Sequence, residues 1–122
     1  MTLDEIMAAT DAQMLVEPPF TIDLMSACAS DLMSDVLLFT KPNMLLITGL
    51  TNPQAIRTCD MAEAPAVVFV RGKYPPSETL ELAEEMGIAV LLSPYTMFET
   101  AGLLYQAGLK GIGKLPIIPQ QR

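Results

Sequence analysis

The chain has 122 residues, 51% of them apolar, and a formal net charge of −7. Such a chain is long enough for one domain with a single core and too apolar to be a disordered segment. Its acidic balance argues against nucleic acid or an anionic membrane as partner, and the lack of histidine removes the commonest general base and metal ligand.

Thr2-Leu3-Asp4-Glu5 is a capping box, with Thr2 at the cap and Glu5 three residues on, and Leu3, Ile6 and Met7 make the apolar stripe of a first helix. Gln13 to Val16 reads as a brief strand closed by Glu17-Pro18-Pro19. Phe20 to Cys28 reads as a weaker strand with Ile22, Leu24 and Met25 facing in. Ser30 is placed as the cap of a second helix whose buried face is Leu32, Met33, Val36 and Leu37, ended by Lys41-Pro42-Asn43. Met44 to Thr48 is a buried strand. Asn52 then caps a helix with Pro53 at its first position, where the missing N–H costs nothing, and Ile56, Cys59 and Ala62 face inward.

Residues 64–93 read as one strand–helix–strand unit. Ala66 to Val70 is a continuous, mostly β-branched run, as in a strand buried on both faces. Ser77 is placed as the cap of the next helix and Gly87 as its stop, and Ile88 to Leu92 is a second apolar run. Such a unit is a right-handed crossover in a parallel sheet. Thr96 and Glu99 form another capping box before Phe98, Ala101, Leu104 and Tyr105, which repeat at helical spacing up to Gly108. Residues 109–122 are too apolar for an ordinary disordered tail, and are read as an arm that lies on its own domain or on a partner. The fold class is therefore α/β, a three-layer domain on a parallel sheet of four or five strands over residues 1–108, with the Gly- and Pro-containing arm after it.

Ligands of open parallel sheets collect beyond the carboxyl ends of the strands. Here those loops carry Ser30, Asp31, Thr48, Thr51, Asn52, Arg71, Lys73, Ser93 and Thr96, and three of them open onto helix amino termini. Arg71 and Lys73 bring the local positive charge, so the rim is a candidate site for a small anion or a nucleotide phosphate. The competing reading takes Ser30, Asn52 and Thr96 as plain helix caps. Asp31 and Asp35 lie four apart on one helix face, but two carboxylates alone seldom hold a cation, so neither a metal nor a cofactor is expected. Gly111-Ile112-Gly113-Lys114 lacks the spacing, the hydroxyl residue and the preceding strand of a phosphate loop, and no strand is followed by G-x-G-x-x-G. The nine methionines read as core filler. Cys28 and Cys59 form no C-x-x-C and suit a reducing compartment, and no signal peptide or apolar span is present, so a soluble cytoplasmic protein is expected.

Residues 29–36, Ala-Ser-Asp-Leu-Met-Ser-Asp-Val, resemble the S-D-L-L-S-D-V motif of DRTGG domains. Residues 94–105, Pro-Tyr-Thr-Met-Phe-Glu-Thr-Ala-Gly-Leu-Leu-Tyr, resemble that family's P-x-S/T-x-F-E-x-A-G-x-L-Y stretch. The likeness covers most of residues 1–108. DRTGG domains are similar to the amino-terminal domain of HPr kinase/phosphorylase. The resemblance implies a non-catalytic regulatory or ligand-sensing module, often a homodimer, that acts through a small ligand or a protein partner. Kinase activity belongs to a separate P-loop domain and is not carried over. Ser26-Ala27 stand where the family has Gly-Gly, and Asn52-Pro53 where relatives often have His-Pro. The alternative is a small enzyme acting on a phosphorylated metabolite at the rim. For it, the residues offer no Ser–His or Cys–His pair.

Overall fold

The computed structural model describes residues 1–119. The elements in chain order are α1 (Leu3–Thr10), β1 (Gln13–Val16), β2 (Ser26–Ala29), α2 (Met33–Leu38), β3 (Met44–Thr48), α3 (Pro53–Met61), β4 (Ala66–Phe69), α4 (Ser77–Met86), β5 (Ala89–Leu92) and α5 (Met97–Gln106). The strands make one sheet in the order β1-β5-β4-β3-β2. β2, β3, β4 and β5 are parallel to their neighbours, and β1 alone runs antiparallel, against β5. The sheet expected to be parallel is therefore mixed. The reason lies in the connection: β1 and β2 are joined by irregular chain with no crossover helix, and it is the crossover that forces strands parallel.

Each central strand sends alternate side chains to opposite cores, as the two-residue period of a strand requires. Leu45, Ile47, Val68 and Leu91 meet Leu3 and Ile6 of α1 and Leu104 of α5 on one face. Met44, Leu46, Phe69 and Val90 meet Val36 of α2, Ile56 and Cys59 of α3 and Ala83 of α4 on the other. β3, β4 and β5 are buried at every position, which is why they read as unbroken apolar runs rather than alternating ones. On β1, the register slips between Met14 and Val16, and Val16 and Leu15 both pack on the α2–α4 side.

The helix boundaries follow local chemistry in part. The Thr2 hydroxyl accepts from the Glu5 N–H at 3.2 Å, and the Glu5 carboxylate accepts from the Thr2 N–H at 3.0 Å, closing the expected box. Donation to the carboxylate from the Thr2 N–H, and next from the Thr2 hydroxyl, holds the Glu5 carboxyl below its ordinary pKa. Asn52 accepts from the Ala55 N–H at 3.3 Å with Pro53 first in α3. Gly87 ends α4 in the left-handed region at φ 70°, where a side chain would be strained.

Other local expectations are corrected. The second strand is confined to Ser26–Ala29; Ile22 and Leu24 are buried but unpaired in the sheet, and Met25 is exposed. Leu24 is held instead by the amino terminus, exchanging backbone bonds of 2.8 Å with Met1. Pro76, not Ser77, occupies the cap of α4, so Ser77 is already helical. Thr96 sits at the cap of α5 but makes no side-chain bond, so no box forms with Glu99. Leu32 and Leu37 are exposed, leaving Val36 as the buried anchor of the short α2. Phe98 and Tyr105 are turned outward at 86% and 70% exposure, while Leu104 is buried.

Two outcomes follow. Phe69 is fully buried beneath α3 and α4, so Phe69→Ala should cost about 3–5 kcal/mol in urea unfolding. Burial pushes the Cys59 thiol up to about 12, and burial together with the nearby Asp35 charge raises Cys28. A thiol reagent at pH 8 should leave Cys59 unmodified in the native protein and label it once the chain is unfolded.

Candidate functional site

The loops after β2, β3, β4 and β5 emerge together at the carboxyl end of the parallel strands. The residue that ties the first two is Asp31. Its Oδ1 accepts from the Thr48 hydroxyl at 2.9 Å and from the Gly49 N–H at 2.7 Å. The Thr48 hydroxyl in turn accepts from the Leu50 N–H at 3.2 Å, so one buried side chain links the carboxylate to the start of the next loop. Among the described residues, Oδ2 of Asp31 accepts no hydrogen bond.

Gly49 lets the next charge approach. A Cβ placed there would meet Asp31 Oδ2 at 3.4 Å and Arg71 Nε at 3.8 Å. The carboxylate and the guanidinium thus flank the same peptide, one from the β2 loop and one from the β4 loop. Among the described residues, the one ion pair joins the Met1 ammonium to Asp23, so Arg71 is exposed and carries no salt bridge there.

Arg71 also has a left-handed backbone, at φ 66°, followed by Gly72 at φ 61°. Asp11 and Glu63 adopt the same region just beyond α1 and α3, and Asn43 is a residue type that tolerates it. Arg71 and Gly72 are the two successive left-handed residues of the turn after β4, where glycine, asparagine or aspartate is the usual first residue and a long side chain is strained. Its N–H donates to the Tyr95 carbonyl at 2.7 Å and the Gly72 N–H to the Ser93 carbonyl at 2.8 Å. These two bonds stitch the β4 loop to the β5 loop.

The remaining rim residues divide by what already occupies them. Ser93 is buried, its hydroxyl 2.8 Å from that of Thr100 and accepting from the Tyr95 N–H. Thr51 is buried and its carbonyl accepts from the Thr79 hydroxyl at 2.7 Å. Ser30 does not cap α2; its hydroxyl accepts from the Leu32 N–H at 3.0 Å in a turn before the helix. Asn52 caps α3. Lys73 and Thr96 are exposed. The geometry therefore draws Asp31, Thr48 and Arg71 together around Gly49, whose part as the shared neighbour the sequence did not single out. Among the described residues, one concavity of about 460 Å³ lies between the start of α1 and residues 17–22, and another runs along α5, both away from Gly49. Among the described residues no group of three or more acidic, cysteine or histidine side chains is placed to hold a metal ion. No helix among them is long and apolar enough to cross a membrane.

Asp31 has a structural duty whatever else it does. Asp31→Ala leaves the buried Thr48 hydroxyl and the Gly49 N–H without their acceptor and should cost about 1–3 kcal/mol in urea unfolding. Asp31→Asn, which keeps an oxygen at that position, should lose less.

No curated protein sequence matches the chain significantly. Among solved structures, it is similar to the crystal structure of the CBS and DRTGG domains of the regulatory region of Clostridium perfringens pyrophosphatase, complexed with its activator diadenosine tetraphosphate. The TM-score is 0.69 at 18% identity, over 87% of this chain and 46% of that one, so this chain spans less than half of that regulatory region. Within the family pattern, Ser26 stands on β2 with its hydroxyl buried and unpartnered among the described residues, and the Ala27 N–H donates to the Lys110 carbonyl at 2.8 Å. The model of the DRTGG domain matches residues 5–107. The chain belongs to the DRTGG domain family.

Proposed function

We propose that this chain is a non-catalytic regulatory module that senses a nucleotide or another small anion at the rim around Gly49. It acts in a reducing cytoplasm as a homodimer or through a protein partner. The observation that carries the reading is Arg71. A long cationic side chain is kept on a left-handed backbone, where glycine would be cheaper by about 1 kcal/mol, and its charge is not spent on an ion pair among the described residues. The turn itself is fixed by the backbone bonds to the β5 loop, and strained residues of this kind cluster at ligand sites.

The guanidinium suits phosphate oxygens, for which it offers paired donors, and Lys73 two residues on adds a second cation. Asp31 holds the floor of the rim by its Oδ1 bonds and leaves Oδ2 for a hydroxyl or amino group of the same ligand. Membership of the DRTGG family supports a regulatory role, and so does the fold shared with a pyrophosphatase regulatory region that was crystallised with a dinucleotide activator. A rim already committed to internal bonds, with no nucleophile–base pair, favours binding over catalysis.

The test is a thermal-shift screen against adenylates, diadenosine tetraphosphate and simple anions, run on the native chain and on Arg71→Gly. A ligand at a hundred times its dissociation constant adds about 2.7 kcal/mol, several degrees in melting temperature. Arg71→Gly should melt higher than the native chain without ligand, by about 0.5–1 kcal/mol, and should lose the ligand shift. A screen with no shift, or a shift that survives Arg71→Gly, would overturn the reading.

A further inference from the structure

Among the described residues, two of the exposed apolar features complement each other. The first is the arm. Leu109 is buried with the α1–α5 side of the core, and the Lys110 carbonyl accepts from Ala27 on the outer edge of β2. Ile112 then packs with the α2–α4 side, so the arm has passed around the β2 edge from one face of the sheet to the other. Beyond it Leu115, Ile117 and Ile118 stand in solvent, the last two at 96% and 81% exposure. The second feature is the solvent side of α5, an open groove of about 720 Å³ floored by Gly102 and Leu103 and walled by Tyr95, Phe98 and Tyr105.

The two match in charge as well as in character. The last fourteen residues hold three of the chain's seven basic residues and none of its fourteen acids, so the arm carries +3 and residues 1–108 carry −10. Glu99 lines the groove, and Asp11 lies at its end, accepting from the Tyr95 hydroxyl at 3.1 Å. On the arm, Lys114 directly precedes the exposed apolar residues. Among the described residues, Tyr105 borders the start of the arm at Lys110 and Gly111, but Ile112 packs on the α2–α4 side while the groove opens on the α5 side.

We propose that the arm of one copy fills the α5 groove of a second copy, and that the exchange is reciprocal. Ile117 and Ile118 enter between Phe98 and Tyr105, and Lys114 faces Glu99. A reciprocal exchange covers both features of each chain and closes into a dimer rather than a filament. Removing Ile117, Ile118 and two exposed aromatics, Phe98 and Tyr105, from water supplies the driving force, and the charge match sets the direction of the arm. The inference rests on the homodimer in the reading above and is independent of its ligand.

The test uses the full chain with Cys28 replaced by alanine. Phe98→Cys and Ile117→Cys are made separately, mixed and oxidised, with sedimentation velocity on the unmodified chain alongside. The expected results are a dimer and an interchain disulfide formed from the mixture. Lys114→Glu should weaken the dimer at least tenfold, and Lys114→Glu with Glu99→Lys should restore it. A dimer that gives no such disulfide overturns the arm exchange and leaves the homodimer standing. A monomer at tens of micromolar overturns both. A disulfide formed within a monomeric double variant shows the arm folding back on its own chain and overturns the exchange.

Discussion

The structure depends on four parallel strands laid side by side in chain order. β2, β3, β4 and β5 follow one another across the sheet without a reversal. Because crossovers of this kind share one hand, successive ones in the same direction must put their helices on the same face. α2, α3 and α4 accordingly share one core. The opposite face would stand open, and α1 and α5 close it from the two ends of the chain. β1 completes the sheet beyond β5 and can run antiparallel because no crossover ties it to β2.

That order also decides where the proposed site lies. The helices part company only after β5, when α5 crosses to the other face, and a crevice is expected where such a change occurs. Here the crevice between the β4 and β5 loops is closed by backbone bonds from Arg71 and Gly72. The stitched turn holds Arg71 in its left-handed conformation. Asp31 and Thr48 stiffen the rim, and Gly49 leaves room for both charges. The rim is thus preorganised by bonds that do not themselves involve a ligand, which lowers the ordering cost of binding one.

Much of this was legible in the sequence because it is local. Continuous apolar runs marked β3, β4 and β5, and the Thr2–Glu5 and Asn52–Pro53 pairs marked two helix starts, since a cap is built from residues three apart. The weaker readings failed where a local pattern had a non-local competitor. Ser30 looked like a cap but serves a turn, because Asp31 is drawn to Thr48, seventeen residues away. Phe20 to Cys28 reads as a strand, but only Ser26 onward pairs in the sheet, because the amino terminus reaches Leu24 first. Phe98 and Tyr105 share helical spacing with Leu104, yet only Leu104 faces the sheet, because the period places residues on a helix without saying which side is inward. The rim residues follow the strand ends in the chain, as spacing tells, but the grouping of Asp31, Thr48 and Arg71 around Gly49 depends on contacts between separate loops, which spacing does not encode.

The central claim is that a phosphate-bearing ligand is held at Gly49 by Arg71. Amide chemical-shift mapping of the isotopically labelled native chain, titrated with an adenylate and separately with inorganic phosphate, tests it most directly. The account predicts the largest changes at Asp31, Gly49, Arg71 and Gly72, with α5 unmoved. Saturating changes confined to another surface, or none at millimolar ligand, would contradict it.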